Sequence, residues 1–291
     1  MPIVAPKDIL AAAHSSGYAI GAFNATNLME IEFIFEAAQS VASPVIIQTT
    51  EIVARFLGPG PIVAVFKEVA NDASIPVSLH LDHCLDVEFA KRCADIGYNS
   101  VMIDASRFDF EKNVSMSKAV CDYCHARGDI PVEAELGAIG GREDGAYAVE
   151  GTGTLCDPRQ AIEFVVRTGV DALAPAVGTA HGLYKQADPE VDIDRLAAIN
   201  SLLSDAGRHI PLVLHGGTGL PPNTVRQCID NGIAKLNIGT DLKKALIDTT
   251  FDYISAHRYE YDPGKIDEQV KPAIQNRVVY WIKMLGSAAR A

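Results

Sequence analysis

The chain has 291 residues, of which 48% are hydrophobic and 21% are charged. This balance is typical of a globular protein that buries a sizeable core in one large or two ordinary domains, and it argues against long disorder. The formal net charge of −12 argues against a broad nucleic-acid surface, because such binding needs many Lys and Arg side chains to neutralise phosphates. A small anionic substrate held by a few local donors remains compatible with this charge.

The first residues, MPIVAPKDILAAAHSSG, lack the basic start, apolar segment and cleavage site of a signal peptide. No apolar run reaches the length needed to span a membrane. We therefore expect a cytoplasmic protein whose six cysteines stay reduced. Cys121, Cys124 and His125 match the spacing for c-type haem attachment, but they lie in a helical pattern that favours buried thiols.

Eight short apolar runs alternate with helical patterns along the chain. Strand followed by helix, repeated eight times, predicts an α/β protein with a (β/α)8 TIM barrel fold, organised as a single domain over residues 1–291. Two further helices frame it, PKDILAAAHSSG before the first strand and TDLKKALIDTTFDYISAH after the eighth, followed by a terminal stretch. The eight strand-like runs are YAIGAF, PVIIQT, VSLHLD, SVMID, PVEAEL, DALAPAV, PLVLHG and IAKLNI.

One connection, GAIGGREDGAYAVEGTGTLCDP, is too long and too rich in glycine and charge for an ordinary turn. We interpret it as a mobile active-site loop.

Three histidines follow apolar strand-like runs, in SLHLDH, LAPAVGTAH and PLVLHGG. In a barrel of this kind, the chemistry lies at the carboxyl ends of the strands, where His83, His181 and His215 would follow the third, sixth and seventh strands. Each could be an ordinary hydrogen-bonded core histidine, but three at equivalent positions favour a shared divalent metal ion. His14, His80, His125, His209 and His257 lack this placement, so we expect them to be structural or solvated.

Asp82 directly precedes His83, and the Asp82 side chain should point away from that of His83. From the residues alone, it is either a free acid or base or a carboxylate that orients a metal-bound imidazole.

Small residues and hydroxyls dominate HGGTG at 215–219 and NIGTD at 237–241. They fall in the loops after the seventh and eighth strands, where barrels commonly bind phosphate through backbone N–H groups. Lys185, just past His181, adds a positive charge. We therefore expect phosphate recognition here.

At these residues the chain resembles the class II, metal-dependent ketose-bisphosphate aldolases, the family of fructose- and tagatose-bisphosphate aldolases. The resemblance runs from YAIGAFN through HLDH, SVMIDAS, VEAELGAIGGREDG, GTAHGLYK, PLVLHGGTG and KLNIGTD to the terminal GSAARA. It implies a lyase that reversibly cleaves a ketose 1-phosphate or 1,6-bisphosphate to dihydroxyacetone phosphate and an aldehyde through a zinc-stabilised enediolate, without a lysine Schiff base.

The resemblance also implies roles for individual residues. His83, His181 and His215 match the ligands of one zinc ion, and Asp82 and Glu143 match the two proton-transfer residues. Asp104 and Glu135 match carboxylates near the metal that either bind a secondary cation or orient a ligand. Residues that match substrate- or phosphate-binding positions are Asn24, Gly182, Lys185, Gly216, Thr218, Asn237 and Thr240. Family members often bind a monovalent cation, Na⁺ or K⁺, near that phosphate through carbonyls around Gly182 and Gly216.

Two departures from the family pattern concern the far end of the substrate. Many fructose-specific members carry an acidic residue where this chain has Gly239, and no residue clearly matches the C-terminal arginine that binds the distal phosphate. Candidates for that role are Arg258, Lys265, Lys271 and Arg277. A ketose without a distal phosphate is therefore an alternative substrate.

Two competing hypotheses concern the reaction itself. One is a metal-dependent hydrolase or isomerase. The other is a non-catalytic aldolase-like partner, which the presence of all three histidines, Asp82 and Glu143 argues against. We expect a homodimer or homotetramer that binds a small phosphorylated sugar, with neither nucleic acid nor membrane as a partner. The sequence leaves the need for an accessory subunit open.

Overall fold

The computed structural model describes residues 3–128, 130–141, 153–182, 184 and 189–291. Eight parallel strands form a closed barrel in the order β1-β10-β9-β7-β5-β4-β3-β2, and the short strands β6 and β8 pair outside it. The strands are β1 Ile20–Asn24, β2 Val45–Thr50, β3 Val77–Cys84, β4 Ser100–Ile103, β5 Val132–Leu136, β6 Gly140–Gly141, β7 Ala172–Pro175, β8 Ala180–His181, β9 Leu212–Leu214 and β10 Ile233–Ile238.

Helices surround the barrel, and each predicted helical pattern corresponds to one of them. They are α1 Pro6–Ser16, α2 Leu28–Ser40, α3 Glu51–Leu57, α4 Pro59–Asn71, α5 Val87–Ile96, α6 Phe110–His125, α7 Pro158–Thr168, α8 Ile193–Asp205, α9 Pro222–Asp230, α10 Thr240–Ala256 and α11 Pro263–Leu285. In the described part of the chain, no helix is both long and apolar enough to cross a bilayer.

The (β/α)8 prediction is confirmed, and each of the eight apolar runs overlaps one barrel strand. These strands are buried on both faces, as expected where helices cover a parallel sheet. The main core lies between the strands and the helices and includes Phe23, Phe66 and Phe164. A smaller cluster packs Ile9 and Leu10 of α1 against barrel residues, so α1 helps to close the amino-terminal end.

Capping side chains determine where many of the helices begin. A capping Asn or Asp accepts a hydrogen bond from a backbone N–H group in the first helical turn, which typically contributes about 1 kcal/mol. The residues that do this are Asn27, Asp86, Asp109, Asp157, Asp192 and Asp262. Because the first five lie between a strand and the following helix, they help to fix the loops at the carboxyl ends of the barrel strands.

Helix α11 was not predicted from the sequence. Two prolines and several charged residues in PGKIDEQVKPAIQNRVVYWIKML obscure its apolar periodicity. Pro263 occupies the first turn, where its missing N–H group costs little, whereas Pro272 lies inside the helix. Val270, Ile274 and Val278 form a buried stripe at four-residue spacing, and α11 packs against α2 and α10.

All six thiols are free and buried. Cys121 and Cys124 belong to the inner face of α6, as the helical pattern predicted. His125, at the end of this helix, has its Nε2 atom 2.8 Å from Oδ2 of Asp171. The CxxCH spacing therefore lies in an ordinary packed helix.

Candidate metal-dependent active site

The three predicted histidines converge at the carboxyl end of the barrel. His83 lies within β3, and His215 directly follows β9. His181 departs from the expected position: the sixth barrel strand ends at Pro175, and the chain continues to the short strand β8, which carries His181. The apolar run therefore extends beyond the barrel before it delivers its histidine.

Glycines make room for this short strand. β8 pairs with β6, with Gly141 opposite His181. A Cβ atom at Gly141 would overlap the backbone of His181, and a Cβ atom at Gly216 would lie 2.5 Å from the carbonyl oxygen of Ala180. Both glycines also have positive φ angles, of 99° and 68°. The glycine-rich motifs thus let two loops close tightly on the backbone that carries His181.

The rings of the three histidines form a compact cluster. Their centroids are 4.8 Å apart for His83 and His181, 4.5 Å for His83 and His215, and 5.9 Å for His181 and His215. One ring nitrogen from each residue lies within 4.8 Å of the other two. Three imidazole nitrogens in this arrangement fit a divalent cation of borderline softness, such as zinc, and leave a coordination position for substrate.

His83 has a backbone conformation that is uncommon for a residue with a side chain. Its φ angle is +44°, in the left-handed region, which costs on the order of 1–2 kcal/mol for such residues. This bend at the end of β3 changes the direction of the chain between Asp82 and His83. The nearest carboxylate oxygen of Asp82 lies 4.0 Å from Nε2 of His83.

Three amide side chains hold the fully buried carboxylate of Asp82. Nδ2 of Asn24 donates to Oδ2 at 2.8 Å, and Nδ2 of Asn237 donates to Oδ1 at 2.9 Å. Nε2 of Gln48 lies 3.2 Å from Oδ2 and also donates to Oδ1 of Asn24 at 2.9 Å. Gln48 was not predicted from the sequence, although an isolated polar residue near the end of the run PVIIQT is a recognisable signal.

Asp104 and Glu135 lie on the other side of His83, where the three residues form a second group able to hold a cation. Oδ2 of Asp104 is 3.2 Å from Nδ1 of His83. Burial opposes ionisation of Asp104, but hydrogen bonds from His83 and Ser106 and the charge of His83 lower its pKa to about 2. Burial, reinforced by the charge of Asp104, raises the pKa of Glu135 to about 8.

A further polar group lies inside the barrel beside His215. Oε1 of Glu133 is 2.9 Å from Nε2 of His215, and Oε2 accepts from Nζ of Lys235 at 2.8 Å. Burial opposes ionisation of Glu133, but the charge of Lys235 and the hydrogen bond with His215 hold the pKa of Glu133 well below its ordinary value. Nδ1 of His80 lies 2.8 Å from Oγ of Ser100, so this buried histidine has a hydrogen-bond partner inside the barrel.

Glu133 and Lys235 were not predicted from the sequence either. In PVEAEL, Glu133 alternates with apolar residues and shares a strand face with Glu135; in IAKLNI, Lys235 shares a face with Asn237. Charged residues at alternate positions of an otherwise apolar barrel strand are the signal that could have found them.

Residues predicted to bind phosphate surround one small cavity of about 20 Å³ beside His181. It is lined by Gly182, Gly216, Thr218, Asn237 and Thr240, together with Gly217 and Gly239. Helix α10 begins at Thr240, so its free backbone N–H groups favour an anion at this end. Asn24 belongs to the Asp82 group instead, while Glu143 and Lys185 lie outside the described residues.

Three of the four candidate cations for a distal phosphate pair with nearby carboxylates. Lys265 contacts Glu268, Lys271 contacts Glu36, and Arg277 contacts Asp241. Arg258 lies exposed between α10 and α11. The structure therefore singles out none of them as a substrate-binding group.

A cluster of imidazoles able to hold a metal ion, beside a buried carboxylate and a glycine-lined cavity at the strand ends of a barrel, is typical of a metal-dependent TIM-barrel enzyme. The family model for class II fructose-bisphosphate aldolases matches residues 4–290. The chain belongs to this family of carbon–carbon lyases.

Individual relatives agree with this assignment over nearly the whole chain. A fructose-bisphosphate aldolase of Staphylococcus aureus strain Mu50 is 40% identical over 294 aligned positions, which cover 100% of both chains. The crystal structure of the YdjI aldolase of Escherichia coli K12 is 32% identical, with a TM-score of 0.85 over 99% of both chains. A crystal structure from Coccidioides immitis, assigned as a fructose-1,6-bisphosphate aldolase, is also 32% identical, with a TM-score of 0.87 over 97% of this chain and 96% of that one.

Proposed function

We propose that the protein is a zinc-dependent aldolase that reversibly cleaves a ketose 1,6-bisphosphate or 1-phosphate to dihydroxyacetone phosphate and an aldehyde. The observation that carries this proposal is the convergence of three imidazole nitrogens within 4.8 Å of one another, next to the buried carboxylate of Asp82. Aldolases among the relatives, including the fructose-bisphosphate aldolase of Staphylococcus aureus, support the same reaction.

His83, His181 and His215 would hold the zinc ion. When bound, zinc supplies a Lewis acid that stabilises the negative charge developing on the substrate oxygens as the carbon–carbon bond breaks. The protein residues then have three tasks: they bind the phosphate, orient the ketose and move protons.

Asp82 would accept the proton of the hydroxyl group at the carbon that becomes the aldehyde. Its carboxylate is close to the cluster but separate from the three imidazoles, and donors from Asn24, Asn237 and Gln48 orient it. Such fixed geometry favours proton transfer, because the acceptor does not have to reorganise during the reaction. Glu143 would move the proton on dihydroxyacetone phosphate as the second acid–base residue.

The small cavity lined by Gly182, Gly216, Thr218 and Thr240 would bind the phosphate of dihydroxyacetone phosphate, assisted by Lys185. Asn24 and Asn237, which donate hydrogen bonds to Asp82, would also contact the sugar. A monovalent cation, Na⁺ or K⁺, would lie near this phosphate against carbonyls around Gly182 and Gly216. Asp104 and Glu135 would bind a secondary cation or orient His83.

Gly239 affects the choice of sugar. A Cβ atom at this position would lie 3.0 Å from Oδ1 of Asn24, so the glycine leaves Asn24 in place and presents no acidic group to the ketose chain. The substrates we propose are therefore the class of ketose 1-phosphates and bisphosphates, including tagatose-like substrates and ketoses without a distal phosphate.

We further propose that the enzyme works in the cytoplasm as a homodimer or homotetramer. Ile247, Phe251 and Ile254 of α10 are exposed and share one helix face. Subunit contacts commonly cover such apolar patches. Analytical ultracentrifugation tests this assembly, and a monomer would contradict it.

The proposed reaction is tested with the purified protein and a panel of phosphorylated ketoses that includes fructose, tagatose and sorbose bisphosphates and their monophosphates. Release of triose phosphate should require metal, disappear after complete chelation and return with zinc or cobalt. Cleavage that persists without metal, or a lysine adduct trapped by borohydride, would overturn the proposal. Release of inorganic phosphate without triose phosphate would indicate a hydrolase instead.

A further inference from the structure

Buried polar contacts continue from the histidine cluster into the barrel interior. His215, Glu133 and Lys235 are connected in series, with exposed fractions of only 1%, 3% and 1%. Glu133 lies in β5 and Lys235 in β10, which are separated in the barrel order by β7 and β9, so the ion pair reaches across the barrel interior. None of the roles proposed above for metal, proton transfer or phosphate accounts for these two charges.

Stability alone is a poor explanation for this ion pair. Two charges lose their hydration when they are buried, and apolar residues of similar volume often serve a folded protein equally well. An apolar pair, however, could not form the third contact, between Glu133 and the imidazole of His215. That contact links the pair to the proposed metal centre.

The chemistry of the groups fixes the direction of this hydrogen bond. The Lys235 ammonium group only donates, so it favours an ionised Glu133, which only accepts. The proton between Glu133 and His215 therefore belongs to Nε2 of the imidazole. In the neutral ring this leaves the lone pair on Nδ1, the atom that lies 2.7 Å from Nε2 of His83.

We propose that Glu133, held by Lys235, is a positioning residue that fixes the tautomer and ring plane of His215 and thereby sets how tightly the histidine cluster binds a divalent cation. This inference rests on the metal-binding role proposed above for the three histidines. Carboxylates that orient a metal-bound imidazole in this way typically change metal affinity by about 10–100-fold.

Three variants separate positioning from general stability. Glu133→Gln removes the charge of the carboxylate but leaves the buried Lys235 ammonium group without an opposite charge, which also destabilises the fold. Glu133→Gln/Lys235→Met removes both charges and avoids that defect. Asp171→Asn is the matched control, because Oδ2 of Asp171 lies 2.8 Å from Nε2 of His125 in another carboxylate–imidazole pair. Asp171 directly precedes β7, at the amino end of that strand, whereas the three clustered histidines lie at the carboxyl end of the barrel.

Zinc affinity is measured by competition with a chelator, thermal unfolding is measured on the metal-free proteins, and the visible spectrum is recorded after cobalt substitution. We expect the double variant to unfold near the wild-type temperature but to bind zinc about 10–100-fold more weakly, with an altered cobalt spectrum. Asp171→Asn should bind zinc like the wild type.

A folded double variant with wild-type zinc affinity and an unchanged cobalt spectrum would overturn the positioning role. An equal loss of affinity in Asp171→Asn would also overturn it, because the effect would then be general. The proposed function fails in a different way, since in that case the wild-type protein itself would bind no zinc at the cluster.

Discussion

Nδ1 of His215 lies 2.7 Å from Nε2 of His83, although the two histidines are 132 positions apart in the chain. Two imidazole lone pairs at this distance repel each other unless a proton or a cation lies between them. The other nitrogen of each ring faces a carboxylate, Asp104 for His83 and Glu133 for His215. Both rings are thus oriented with the facing nitrogens available to a metal ion.

Substitution of Asp82 tests the separation between proton transfer and metal binding. Asp82→Ala removes the proposed base without removing an imidazole, so turnover should fall by about two to four powers of ten while zinc content stays at the wild-type level. The three amide donors around the carboxylate lose their acceptor, which should also lower the free energy of unfolding by about 1–3 kcal/mol. Steady-state kinetics, metal analysis and denaturant unfolding measure the three effects. Loss of the metal in this variant would show that the carboxylate serves the metal site instead.

Removal of a histidine tests the ligand set directly. His181→Ala and His215→Ala should each lower zinc affinity and zinc content, because only two imidazoles remain at the site. His125→Ala is the control, since His125 pairs with Asp171 outside the cluster, and it should retain zinc. The zinc content of each variant, measured per subunit after gel filtration, shows whether a ligand has been lost. Full occupancy in either ligand variant is incompatible with the assignment.

Gly216→Ala tests whether the small cavity lined by Gly216 binds the substrate phosphate. The new Cβ atom would lie 2.5 Å from the carbonyl oxygen of Ala180, so the loop must move, and KM for a ketose phosphate should rise by about tenfold or more, which corresponds to roughly 1.4 kcal/mol or more of lost binding. Gly207→Ala is a matched control, because Gly207 has nearly the same φ angle, +69° against +68°, but no atom within 4 Å of its new Cβ. Equal effects on KM in the two variants would rule out phosphate binding in this cavity.

The cysteines should be chemically silent in the folded protein. Burial raises the pKa of Cys93 to about 12 and that of Cys124 to about 11, so little thiolate is present at pH values near 8, and access is blocked as well. We expect no rapid labelling by a thiol reagent in the native state and labelling of all six thiols in guanidinium chloride. Fast modification of the native enzyme would disagree with the packing described here.

The barrel itself could be predicted because its strands are continuous apolar runs and its helices are amphipathic, so local patterns and tertiary packing agree. Helix α11 was missed because Pro272 and several charges mask a buried stripe that becomes recognisable only when α2 and α10 are in place. His181 lies on a separate short strand because the backbone there makes close contacts with Gly141 and Gly216. The periodicity of apolar residues in the sequence carries no information about such contacts.

The site could be predicted where side-chain type carries the chemistry, as with the histidines and Asp82. Gln48, Glu133 and Lys235 were missed because their partners come from other strands, and only the closed barrel reveals which interior positions face one another. Glu143 and Lys185 remain predictions from the resemblance.

Anomalous scattering at the zinc absorption edge, from crystals of the zinc-loaded protein, shows directly where the metal ion binds. We expect one strong peak at bonding distance, about 2.0–2.1 Å, from Nε2 of His83, Nδ1 of His215 and a ring nitrogen of His181. A peak bound elsewhere, with the three imidazoles directed to separate partners and no common ion, would contradict this expectation.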